Sequence, residues 1–175
     1  MTNMFILKNS NIKLLILFQL LFFCSCNFKN SSRMPLQNHV FRLKPGDDLR
    51  KSIQQFAVDH HIKAGWMVTC VGSLTDYNLR FANQSTPSSA SGHFEIVSLT
   101  GTISENGSHM HISVSDSTGK TIGGHLLEGC KVYTTAEIVI QSSNELEFTR
   151  EKDGSTPWEE LQIKKLKSKN LKVKI

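Results

Sequence analysis

The sequence predicts an α+β domain built on a mostly antiparallel sheet. One amphipathic stretch near the start of the domain reads as a helix, and everything after it reads as short strands joined by turns rich in Gly, Asp, Asn and Ser. The 175 residues suit a single domain with tails. Apolar residues make up 39% and charged residues 20%, which excludes a disordered chain or a polytopic membrane protein. Four cysteines are too few for a disulfide scaffold of this size.

His39 to Leu43 alternates and predicts a strand, broken by Pro45-Gly46. Asp47 or Asp48 can cap a helix that carries Leu49, Ile53, Phe56 and Ala57 on one face and ends near His60-His61. Trp66 to Val71 is a compact apolar run, read as a buried strand, after which Gly72-Ser73 is expected to turn the chain. Tyr77 to Ala82 alternates again, and residues 83–92 read as loop. Strands are expected over His93 to Leu99 and Ser108 to Val114. A hairpin-like turn at 116–120 then leads into Thr121 to Leu127. Val132 to Gln141 is β-branched and aromatic-rich, the strongest strand signal in the chain, and Leu146 to Arg150 follows a turn at Ser143-Asn144.

The net charge of +5 is unevenly placed. Residues 1–33 contribute +4, residues 159–175 contribute +4, and the core between them is −3. Attraction to a polyanion would therefore come from the two ends, or from a local patch that a count does not see. Lys8 and Lys13 precede the apolar run LLILFQLLFF (14–23) and then Cys24-Ser25-Cys26. This is the pattern of a secretory signal, too short to span a bilayer comfortably. It resembles a bacterial lipoprotein signal over residues 1–26, with Cys26 as the lipid-bearing residue. The expectation is an exported protein, anchored to a membrane by lipid or periplasmic, and cytoplasmic if the signal reading fails. Residues 27–37 read as a linker, 38–150 as the domain, and 151–175 as a basic tail whose lysines are solvated or touch anionic headgroups.

Seven histidines occur, and His109, His111 and His125 gather around one turn. Side chains two apart on a strand share a face, roughly 7 Å apart along the chain. His125 returns on the next strand behind Gly123-Gly124, where missing side chains allow close approach. Three neutral imidazoles with an open fourth position suit a reactive divalent-metal site. The plain alternative is a set of exposed strand histidines without an ion. Glu95, Glu128 and Glu137 are the acids that could act as a base or orient an imidazole. Glu95 lies in an apolar run and could pair with Arg80, either structurally or within a pocket. Cys70 and Cys130 read as small apolar residues, with a disulfide open to them after export. There is no phosphate loop, dinucleotide fingerprint, nucleophile elbow, CxxC, zinc finger or RNA-reading aromatic motif.

Six separated motifs occur in order: AGWMVTCVGSL (64–74), LRFA (79–82), FEIVSLTG (94–101), HMHI (109–112), GGHL (123–126) and TTAE (134–137). Together they resemble the plant-and-prokaryote conserved domain, the PPC (or PCC) family, over about residues 38–150. The resemblance implies a strongly bent antiparallel sheet and a homotrimer. It also implies a metal, zinc by expectation, at His109, His111 and His125, and it makes Arg80 and Glu95 candidate pocket or catalytic residues. The family is often labelled DNA-binding. In its plant members the DNA contact is implied by an AT-hook, which this chain lacks. The expected function is thus metal binding with a small-molecule or catalytic site, and DNA binding is the alternative. A cupin also uses HxH with later Glu and His, but here Asp116 is the nearest acid after the pair.

Overall fold

The computed structural model describes residues 36–166, all within one compact unit. The secretory-signal reading of residues 1–26 and the lipidated Cys26 lie outside them. Among the described residues no helix is long and apolar enough to cross a membrane.

The order is β1 (Leu36–Leu43), α1 (Leu49–Asp59), β2 (Gly65–Arg80), β3 (Ser88–Ser104), β4 (Gly107–Ser115), β5 (Thr121–Leu126), β6 (Lys131–Ser143), β7 (Leu146–Glu151) and β8 (Glu160–Lys165). Six strands form one antiparallel sheet in the order β1-β6-β2-β3-β4-β5, and β7 and β8 pair separately. The far end of β2 also pairs with β5, so β2, β3, β4 and β5 close on themselves.

The helix forms where the apolar spacing placed it. Asp48 is the cap: its carboxylate accepts from the Lys51 N–H at 3.1 Å and the Gly129 N–H at 2.7 Å. Leu49, Ile53 and Ala57 are buried, while Phe56 stacks between Phe41 and His60. Leu74, Leu79, Ile103, Ile112, Leu126, Ile138 and Ile140 fill the centre of the core. Each such side chain contributes roughly 1.5–3 kcal/mol of burial.

Four sequence expectations change. Gly72-Ser73 does not turn the chain; β2 runs straight through it. Gly72, at φ +149°, sits where the register against β6 shifts, and a Cβ there would meet the Thr135 carbonyl at 2.0 Å. The loop expected over 83–92 is shorter, because β3 already begins at Ser88 and pairs with Leu79. Its Ser-rich start is held by a partner strand and by the Ser91 hydroxyl donating to Asp76. At the N-terminal side, β1 starts at Leu36, inside the stretch read as linker. At the C-terminal side, residues 160–165 of the basic tail form β8 against β7.

Cys70 and Cys130 are free and buried, not bridged. Burial pushes their thiols up to about 12 and about 11, respectively.

Candidate metal centre

Strand alternation puts His109 and His111 on one side of β4 and the buried Met110 and Ile112 on the other. Across β4, His111 pairs in register with His125 of β5. On its other side His125 pairs with Arg80, the last residue of β2. The sequence permits this seam because Gly124 has no side chain: a Cβ there would lie 2.7 Å from the Arg80 carbonyl oxygen.

The three rings converge. Their centroids are 5.0 Å apart for His109 and His111, 5.0 Å for His109 and His125, and 5.6 Å for His111 and His125. One nitrogen from each lies within 4.8 Å of the others, and the Nε2 atoms of His109 and His111 are 3.2 Å apart. Tetrahedral Zn–N bonds of about 2.0–2.1 Å separate two donors by about 3.3 Å. The β4 pair therefore already has the donor spacing of one ion. His125 Nδ1 is buried without a hydrogen-bond partner among the described residues.

Electrostatics favour the neutral, metal-binding form of His109 and His125. Burial is the main cause that lowers the His109 pKa, followed by the positive charge of Arg150. Burial, then His109 and Arg80, pushes His125 down to about 4. A cleft of about 590 Å³ opens over the rings, with Arg80, Phe81 and Thr100 among its walls.

The other candidates separate. Arg80 does reach the histidines, and its guanidinium carbon lies 5.1 Å from the centroid of the Trp158 ring. Glu95 is exposed on β3, in register with Ser73 and Ser115, and forms no ion pair among the described residues, so the expected pairing with Arg80 is absent. Water solvates its charge, so no partner is required. Glu128 pairs with Lys51 at 3.1 Å and Arg50 at 3.8 Å, and Glu137 is exposed opposite Val71. None of the three acids lines the cleft over the histidines. Arg150 and Trp158, which sequence reasoning did not single out, stand beside the rings. No local motif marks them, because the β7–β8 pairing brings them there.

The Plants and Prokaryotes Conserved (PCC) domain model matches residues 30–144. Over 131 residues the chain is 41% identical to the bifunctional protein GlmU of Synechococcus sp. (strain JA-3-3Ab), covering 75% of this chain and 21% of that protein. The chain thus spans about a fifth of the length of the curated relatives it matches. A hypothetical protein from Salmonella enterica superposes with TM-score 0.74 at 36% identity, covering 77% of this chain and 97% of that one. Two further folds align at 22% identity. A candidate DNA-binding protein from Bacteroides thetaiotaomicron has TM-score 0.63, with 71% of this chain and 91% of that one covered. A metal-containing protein from Archaeoglobus fulgidus has TM-score 0.64, with 72% and 93% covered. By the family match and the motifs placed around its three histidines, the chain belongs to the Plants and Prokaryotes Conserved domain family.

Proposed function

We propose that His109, His111 and His125 hold one divalent metal, zinc by expectation, beside a cleft that admits a small molecule. The observation that carries this is the convergence of three imidazole nitrogens within 4.8 Å from two paired strands. Three histidine ligands leave a position open to water or substrate, and a metal there supplies Lewis acidity. The chain's own residues set the geometry. The β4–β5 register fixes His111 against His125, Gly124 lets β2 approach, and Arg80 offers a fixed positive charge at the rim. The description of the A. fulgidus fold neighbour as metal-containing agrees with this reading. Metal analysis of the purified protein and of His111→Ala tests it. About one equivalent of metal in the first and a large loss in the second is expected; equal content would remove the site.

The DNA-binding label of the family is the second reading. It is favoured by the basic side chains Arg50, Arg80, Arg150 and Lys152, which line one cleft although the core as a whole is acidic. If phosphate contacts carry it, affinity for a duplex falls steeply with salt. No binding at low salt ends that option.

The assembly and address stay part of the proposal. We propose a homotrimer, supported by the exposed apolar Val68, Val71 and Val97 on the neighbouring strands β2 and β3. Export with a lipid on Cys26 is tested by palmitate labelling that disappears in Cys26→Ala.

A further inference from the structure

A second cleft, of about 600 Å³, meets the histidines from the side of the β7–β8 pair. His109 and His125 line it, together with Arg50, Arg80, Arg150 and Trp158. Arg150 is the penultimate residue of β7, and Trp158 lies on the segment between β7 and β8, both beyond the residues 30–144 that the family model matches.

Arg50 is paired with Glu128, but the other cations here are placed without a carboxylate in contact. Arg150 donates from Nη2 to the Thr102 hydroxyl at 2.7 Å, and Thr102 pairs in register with His109. That bond holds the guanidinium next to the His109 ring. Arg80 is held over the Trp158 face. Among the described residues neither Arg80, Arg150 nor Lys152 has a carboxylate in an ion pair. Glu159 and Glu160 line the same cleft, and the charge of Glu160 acts on Arg150 and offsets part of its own, yet neither carboxylate forms an ion pair with a guanidinium among the described residues. Half-buried guanidinium groups with no carboxylate in direct contact keep their forks free, and such groups grip oxyanions bidentately. A concave cleft of this volume suits a small ligand.

We propose that this cleft binds an oxyanion, a carboxylate or phosphate group of a small molecule, between Arg80 and Arg150, with the rest of that molecule directed at the histidines. Trp158 forms the wall that the ligand's apolar part touches. This deepens the metal-site reading and rests on it for what the bound molecule meets next, while the anion grip belongs to the arginines themselves.

The test uses the full chain. Zinc content is measured first. Inorganic phosphate and oxalate are then titrated into zinc-loaded and chelated protein by calorimetry, with Trp emission followed in parallel. Trp66 and Trp158 are the two tryptophans, and Trp158→Phe assigns the signal. Binding of either anion that quenches Trp158 and weakens at least about tenfold in Arg150→Gln, with zinc content unchanged, supports the proposal. Oxalate binding without phosphate binding identifies the group as a carboxylate, and the converse as a phosphate. Arg150→Lys, which keeps the charge and loses the fork, is expected to fall between the two. Arg80→Gln, judged alongside its melting temperature, gives the same loss if Arg150→Gln fails to fold. Zinc binding with no response to either anion overturns the proposal and leaves the metal site standing. Anion binding to a protein that takes up no zinc supports the cleft and removes the metal site. Equal anion affinity in wild type and both arginine variants overturns it, as does a short DNA duplex that binds through Arg150 while neither small anion does.

Discussion

Arg80 and His125 face each other in register across the short β2–β5 pairing, the seam at which four strands of the sheet close. His125 therefore has His111 on one flank and a guanidinium-bearing residue on the other. The candidate metal centre and the cationic cleft share Arg80, His109 and His125, so the seam that joins two of these residues bears on both.

Gly124→Ala tests the seam directly. A Cβ at Gly124 would sit 2.7 Å from the Arg80 carbonyl oxygen and 3.3 Å from Phe81 Cδ1. Backbone cannot yield as a side-chain tip can, so β5 must move away from β2. The expected cost is about 1–3 kcal/mol, as for overpacking elsewhere. Zinc affinity should fall with it, because His125 moves relative to His109 and His111. Urea unfolding and a zinc titration check the two effects; an unchanged midpoint with full zinc uptake would show that the seam is not tight.

Metal removal should destabilise the fold. An ion bound only by the native state adds about 4 kcal/mol when its free concentration is a thousand times its dissociation constant. Excess chelator is expected to lower the melting temperature by several degrees. The same chelator should leave the melt of His111→Ala unchanged. A wild-type melt insensitive to chelator would contradict the proposed site.

The part of this site that could be read in the sequence is the part made by local rules. HxH on a strand shares a face by alternation alone, and a turn of five residues followed by Gly-Gly-His predicts the returning strand. The helix was legible for the same reason: Leu49, Ile53 and Ala57 recur at the helical period and are buried. Arg150 and Trp158 were not legible, since their approach to His109 depends on β7 and β8 pairing and packing at long range. Gly72 misled because glycine serves both turns and bulges. Only the partner strand β6, which continues past it, decides between them. The pairing of Glu95 with Arg80 was expected because its neighbours are apolar, but strand alternation turns it to the exposed side while Ile96 points inward.

Asp48 joins the helix to the sheet, and its loss should cost more than an ordinary cap. Its carboxylate takes the Lys51 N–H, takes the Gly129 N–H at 2.7 Å and lies 3.8 Å from Lys131 Nζ. Removing a cap costs typically about 1 kcal/mol. Stranding the part-buried Gly129 N–H adds about 1–3 kcal/mol. Asp48→Ala is therefore expected to lose roughly 2–4 kcal/mol in urea unfolding. Asp48→Asn, which keeps an acceptor, should lose less. Equal losses in the two variants would assign the effect to charge and not to the hydrogen bonds.

Acid should loosen the domain through His39. This ring is buried, with Nε2 2.9 Å from the Ser142 hydroxyl, edge-on to Phe56 and to His60. Burial, and then the charge of His60, lowers its pKa below the ordinary 6.5. Between the two values the unfolded chain carries the proton and the native chain does not, so stability rises with pH in that window. The contribution is complete above about pH 6.5 and is lost as the pH falls toward the native value. His109 and His125 shift in the same direction, so the slope in chelated protein is shared among the three rings. His39→Gln is expected to flatten, without abolishing, the fall in unfolding free energy from pH 7 to pH 5. A slope as steep as wild type would mean that the unfolded chain gains no extra proton at this position.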